Sequence, residues 1–355
     1  MAADGRCDIT EFQPADEGTH VPGPQEYWSE SFYLNFFDPQ RNLGAFSRIA
    51  FSPNQGIAEG FLGLSLANGA TGFIRTWEHC PDHRGHTAAG PIEHVCLEPF
   101  RQWRIRYRGP IHYFQEPARM GDFARTMLAD IPRKDVELEL RFQAIHDVFD
   151  FHSSMKREWL SATELLAKLK PRYFFNHLGP ALRKLALLRT MSGAQHYEHA
   201  GRIEGEVRID GQAHEVRGFG QRDHSWGVRD MRVPTNWRWF SGQLGDELCF
   251  NATKVEVLGL RASGGYVYHD GTIEALARWS CDAELAAPRQ GPQRVSLALV
   301  CGSGRRFELT GTILTNLPVL AQAGGNMVVV NEAHTRFVCG GRSGHGISEF
   351  MEQLI

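Results

Sequence analysis

Apolar and polar residues alternate along most of this chain with a period of two, the pattern of half-buried strands whose successive side chains point to opposite faces. The alternation begins in the aromatic run Tyr27-Trp28-Ser29-Glu30-Ser31-Phe32-Tyr33-Leu34-Asn35-Phe36-Phe37, and Asp38-Pro39 closes that run as a turn. Strand-like stretches at 44–54 and 60–66 follow, and Asn68-Gly69 signals a two-residue hairpin into 71–77. Two more alternating stretches stand at 96–107 and 135–145. Short strands with turn residues at even spacing predict an all-β meander here.

Between 158 and 190 the period changes to about 3.6. Trp159, Leu160, Leu165, Leu166, Leu169, Phe174, Phe175, Leu178, Leu182 and Leu185 recur at helical spacing, with Ser161 and Glu164 as a capping box. Pro171 and Pro180 divide the stretch into two or three short helices. Lys168, Lys170, Arg172, Arg183, Lys184 and Arg189 make the other face basic. Such a stretch suits either a membrane surface or a linker packed across two β-domains; the linker is the plainer expectation. Strand grammar returns after Gly193, with further hairpin signals at Asp210-Gly211 and Asp270-Gly271. The expected organisation is an irregular arm at 1–26, a first β-domain at 27–157, a helical linker at 158–190 and a second β-domain at 191–355. Each β-domain is expected to close as a barrel or strongly curved sheet.

Composition narrows the class. A chain of 355 residues exceeds what one core usually organises, which supports two domains. Hydrophobic content of 42% and charged content of 22% are those of a soluble globular protein. A net charge of −3, with no basic run interleaved with aromatics, argues against a nucleic-acid partner. No run of 18 apolar residues predicts a membrane span. The opening MAADGRCDITEF lacks the charged and apolar regions of a secretory signal, and the seven scattered cysteines include no C-x-x-C. Reduced thiols in a cytoplasm are therefore expected.

The chemistry concentrates in residues 218–230, which hold two Arg, two Asp, a His and a Trp among three glycines. Either this is a salt-bridged corner or it is a site built for a task. Nucleotide, zinc-protease and nucleophile-elbow motifs are absent, and Gly340-Gly341 reads as a turn or bulge. Cys80, His83 and His86 lack a second ligand pair at zinc spacing, so neither metal nor cofactor is expected. In a strand, Gln221, Asp223 and Ser225 share one face, and Arg222, His224 and Trp226 the other. Uniting them in one pocket requires a bulge at Gly220 or Gly227. A buried Asp with a raised pKa donates protons, and a His exchanges them near neutral pH.

The motif Gly220-Gln221-Arg222-Asp223-His224-Ser225-Trp226-Gly227 resembles the G-Y-x-D-H-N-W-G signature of the hydroxyneurosporene synthase/AttH family, the carotenoid 1,2-hydratases and their relatives. Arg229-Asp230, His196-Tyr197-Glu198 and Tyr33–Asp38 resemble a bacterial branch of that group, with Ser225 in place of the usual Asn and Arg222 where an aromatic or His is common. The resemblance implies two tandem lipocalin-like β-barrels and hydratase, isomerase or Diels–Alder-type cyclase chemistry without metal or cofactor. Its substrates are hydrophobic polyenes, polyketides or terpenoids. It implies Asp223 as proton donor with His224 beside it. The expectation is thus a lyase or isomerase acting on an aromatic, polyene or terpenoid molecule held between the barrels. Arg222 and Arg229 would steady negative charge, and Trp226, Tyr33, Asn35, Tyr197, Glu198, Trp239 and Glu349 would contact substrate. The alternative is a lipocalin-type binding protein for an apolar ligand. A homodimer is compatible with either.

Overall fold

A computed structural model describes residues 12–122, 131–159, 161, 194–230, 234, 236–257, 260–285, 291–323 and 326–354. The 158–190 helices and the Ser161–Glu164 capping box lie almost wholly outside the described residues. Among the described residues no helix is long and apolar enough to cross a membrane.

Hairpin follows hairpin from Trp28 onwards. The strands are β1 (Trp28–Asp38), β2 (Leu43–Ser52), β3 (Ile57–Ser65), β4 (Thr71–His79), the short β5 (Ala88–Ala89), β6 (Ile92–Glu98), β7 (Gln102–Phe114) and β8 (Arg133–Ala144). Next come β9 (Phe149–Asp150), β10 (Lys156–Trp159), β11 (Gln195–Ile209) and β12 (Gln212–Val228). Among the described residues, β1, β2, β3, β4, β7, β8, β11 and β12 pair antiparallel in that order. The ring closes because β4 pairs β7 and β12 returns to β1. In-facing Phe32, Leu34 and Phe36 of β1 meet Trp103, Ile105, Leu138, Leu140, Phe142 and Val207 in its core.

A second ring of eight described strands follows: β13 (Asn236–Gln243), β14 (Leu248–Val257), β15 (Leu260–His269), β16 (Thr272–Leu285), β17 (Pro292–Cys301), β18 (Arg306–Ala323), β19 (Asn326–Cys339) and β20 (Arg342–Leu354). It closes where β20 pairs β13, around Phe240, Phe250, Val267, Leu297, Leu299 and Phe337. The fold is mainly β, two tandem lipocalin-like barrels. Left-handed φ values at Asp210, Gly211, Asp270 and Gly271, and at Gly340 and Gly341, make these hairpin turns tight two-residue connections.

The expected domain boundary at 191 falls inside the first barrel. β11 and β12 pair with β8 and β1, so the motif of residues 218–230 belongs to the first barrel and not the second. β8 and β11, on either side of residues 145–194, pair within that same barrel, and every strand of the second ring follows Val228. Between 145 and 194, β10 reaches across to pair β15, so 156–159 is strand and not the start of a helix. Residues 12–26 are not a loose arm either: Glu17 is buried and paired with Arg222. A third cluster joins the barrels: Tyr33, Phe46, Phe61, Phe73, Phe114 and Met120 meet Trp239, Leu317, Val319 and Ile347.

Candidate active site

β12 runs beside β1 in unbroken register, from Phe37 opposite Phe219 to Trp28 opposite Val228. No bulge interrupts it, so the alternation of side chains survives through the motif. Gly220 serves proximity instead: a Cβ there would lie 2.1 Å from the Asn35 carbonyl oxygen. Asp223 and His224 consequently stand on opposite sides of the sheet. The expectation that they work in one pocket is corrected by strand geometry.

The outward side of β1, β11 and β12 faces the second barrel. Asp223 sits opposite Tyr33 on one neighbour and Glu198 on the other. Its side chain keeps 17% exposure, and its carboxyl is pushed up to about 6 by burial, which outweighs the pull of His196, Arg229 and Arg48. Glu198 is fully buried. Trp239 Nε1 donates to its Oε1 at 2.9 Å, while Gln221 Nε2 and Asn251 Nδ2 donate to Oε2 at 2.8 and 2.6 Å. Burial still prevails and pushes this carboxyl up to about 8. His196 Nε2 stands 3.1 Å from Glu198 and 4.0 Å from Asp223, and burial lowers its pKa to about 4. It is therefore a neutral imidazole at pH 7. Arg229 Nε finds no hydrogen-bond acceptor among the described residues.

Beside this group, Tyr33 Oη donates to Glu332 Oε2 at 3.2 Å, and Trp237 Nε1 donates to Glu349. Glu332 and Glu349 oppose each other across β19 and β20; burial raises the pKa of both, and the Glu349 charge raises that of Glu332 further. Buried Asn35 and the edge-on pair Tyr33 and Trp239 complete the wall. The seam thus gathers Asp223, Arg229, Tyr33, Asn35, Glu198, Trp239 and Glu349 of the expected residues. It can hold protons on carboxyls that would be ionised in water.

The other expected residues point into the first barrel. Arg222 Nη2 donates to Glu17 Oε2 at 2.6 Å, and its guanidinium lies 3.6 Å from the centre of the Trp103 ring. His224 Nε2 stands 2.9 Å from Glu30 Oε1, and its Nδ1 is 3.1 Å from Tyr197 Oη. Trp226 stacks on His20 at 3.9 Å. Arg222, His224, Trp226 and Tyr197 therefore do not line the seam. Glu30, missed in the sequence, had a signal: it is in phase with the in-facing Phe32, Leu34 and Phe36. Glu332, ending an apolar run, had a similar one. Glu17 and His20 had none, because nothing local says where an arm folds back. Among the described residues, two trios place ligand atoms within 4.8 Å of one another: His20, Glu30 and His224, and His196, Glu198 and Asp223.

The model of the family described as Domain of unknown function (DUF7064) matches residues 13–354. No curated protein matches the sequence. Among solved structures, a candidate AttH of Nitrosomonas europaea is 16% identical with a TM-score of 0.63, over 96% of each chain. Kievitone hydratase of Nectria haematococca is 10% identical with a TM-score of 0.57, over 99% of this chain and 94% of that one. CghA with Sch210972 is 9% identical with a TM-score of 0.50, over 99% of this chain and 96% of that one. These likenesses concern the fold.

Proposed function

We propose, from the premise that this chain belongs to the DUF7064 family, that it is an acid–base enzyme of hydratase or isomerase type. Its substrate is an unsaturated apolar small molecule, aromatic, polyene or terpenoid, bound at the seam between the barrels. The observation that carries the reading is the convergence of Asp223, Glu198 and His196 against an aromatic wall, with Asp223 still partly open to solvent. The shared fold with a hydratase supports it.

Asp223 is the group placed to move the proton. Its protonated form delivers it to an unsaturated carbon; its ionised form removes one from carbon, or from a water that adds to the substrate. Buried Glu198 and neutral His196 fix that carboxyl's surroundings. Arg229 steadies negative charge developing on a substrate oxygen. Tyr33 and Trp239 supply apolar faces, and no step of this scheme calls on a nucleotide.

The test is incubation with polyene, terpenoid and unsaturated aromatic candidates in heavy water, followed by mass spectrometry for added water or deuterium. Asp223→Asn is expected to lower turnover by about 10²–10⁴-fold. Turnover at the wild-type rate in that variant would remove the proposal. Tight binding of a ligand that is recovered unchanged would favour a carrier.

A further inference from the structure

The in-facing trio at the mouth of the first barrel has a different chemistry from the seam. We propose that His20 Nδ1, Glu30 Oε1 and His224 Nε2 form a binding site for one divalent transition-metal ion. His20 Nδ1 lies 2.6 Å and His224 Nε2 lies 2.9 Å from the same Glu30 oxygen. All three ligand atoms are within 4.8 Å of one another. Bond lengths of about 2.0–2.2 Å in a tetrahedral site set neighbouring ligand atoms roughly 3.3–3.6 Å apart, so binding an ion spreads the two close pairs by about 0.4–1.0 Å. Two imidazoles with one carboxylate suit zinc, iron, cobalt or nickel; magnesium and calcium prefer an all-oxygen set.

The outward atoms of each ligand are already engaged. His20 Nε2 is 3.3 Å from Asp16 Oδ1, and His224 Nδ1 is 3.1 Å from Tyr197 Oη. Glu30 Oε2 accepts from the His20 backbone N–H at 2.9 Å and faces His83 Nε2 at 3.0 Å. Only the three convergent atoms are left turned towards each other. Partners of this kind orient the ligands of metal sites. Both imidazoles are also clamped by rings, His20 on Trp226 and His224 on Phe32 at 4.0 Å. Two neighbouring strands supply Glu30 and His224, and residues 12–26 fold back to bring His20, which keeps 20% exposure. That exposure gives an ion a way in. A purely structural cluster, with both imidazoles donating to Glu30, is the competing arrangement.

The experiment uses the full chain, stripped with a chelator, dialysed, and titrated calorimetrically with zinc and separately with cobalt, whose visible spectrum reports nitrogen ligation. One equivalent per chain and a rise in Tm are expected. His20→Ala, at the partly exposed ligand, should weaken affinity at least 100-fold while circular dichroism shows an intact β-fold. His83→Ala, at an outer position, should weaken it about 10–100-fold. Absence of stoichiometric binding by the wild-type chain would overturn the site. So would binding that survives His20→Ala, or that is lost in Asp223→Asn alone, since the ion would then belong to the seam.

Discussion

Arg222 shows what one buried charge requires. Its guanidinium is almost fully enclosed, bonded to an equally enclosed Glu17, with His199 Nε2 3.2 Å from Nη1 and the Trp103 ring beneath. A desolvated cation is tolerable only with its anion, so removing one partner costs far more than removing both. Glu17→Gln is expected to lower stability by about 3–5 kcal/mol in denaturant titration. Glu17→Met combined with Arg222→Met should recover most of that loss. A midpoint in Glu17→Gln equal to the wild type would show that the pair carries no such weight. The charged residues of the motif were plain in the sequence. Their partners were not, because Glu17 lies 205 positions from Arg222 and no local pattern links them.

At the scale of the element, β12 is a strand flanked on both edges, by β1 and β11, and its glycines follow from that crowding. Gly218 and Gly220 face the β1 backbone at distances that leave no room for a Cβ. Gly220→Ala must push the two strands apart. A loss of about 1–3 kcal/mol is expected from thermal or chemical unfolding, typical of forced overpacking; an unchanged midpoint would mean that the strands yield freely. The pattern 221, 223, 225 against 222, 224, 226 was readable from the period alone. Which side faced the other barrel was not, since both sides carry polar groups and a strand's period says nothing about its neighbours.

For the whole molecule, buried titratable groups set the pH range of stability. Burial holds His94 at about 3 and His146, His334 and His345 at about 4. These imidazoles bind protons more readily once unfolded, so the stability they confer is complete above 6.5 and lost as pH falls towards 4. Glu198, raised to about 8, together with the raised Glu332 and Glu349, acts oppositely. Folding keeps protons on these carboxyls that the unfolded chain releases above about 4.5, so their contribution is lost as pH rises through 8. Thermal unfolding across pH should show a broad maximum between about 4.5 and 6.5, falling on both sides. The alkaline fall should shrink in Glu332→Gln. A Tm rising steadily from pH 6 to 9 would contradict this balance.

Most strands, their tight turns and the faces of each strand were legible in the sequence, because period and turn chemistry are local properties. It also singled out residues 218–230, whose charged and aromatic residues fit neither plain core nor plain surface. Only the tertiary structure decided which strands close which barrel, moving β11 and β12 into the first, because barrel closure pairs edges that are distant along the chain. That closure then divided the motif. Asp223 was turned to the seam and His224 to the barrel mouth, where residues 12–26 meet it with Glu17 and His20.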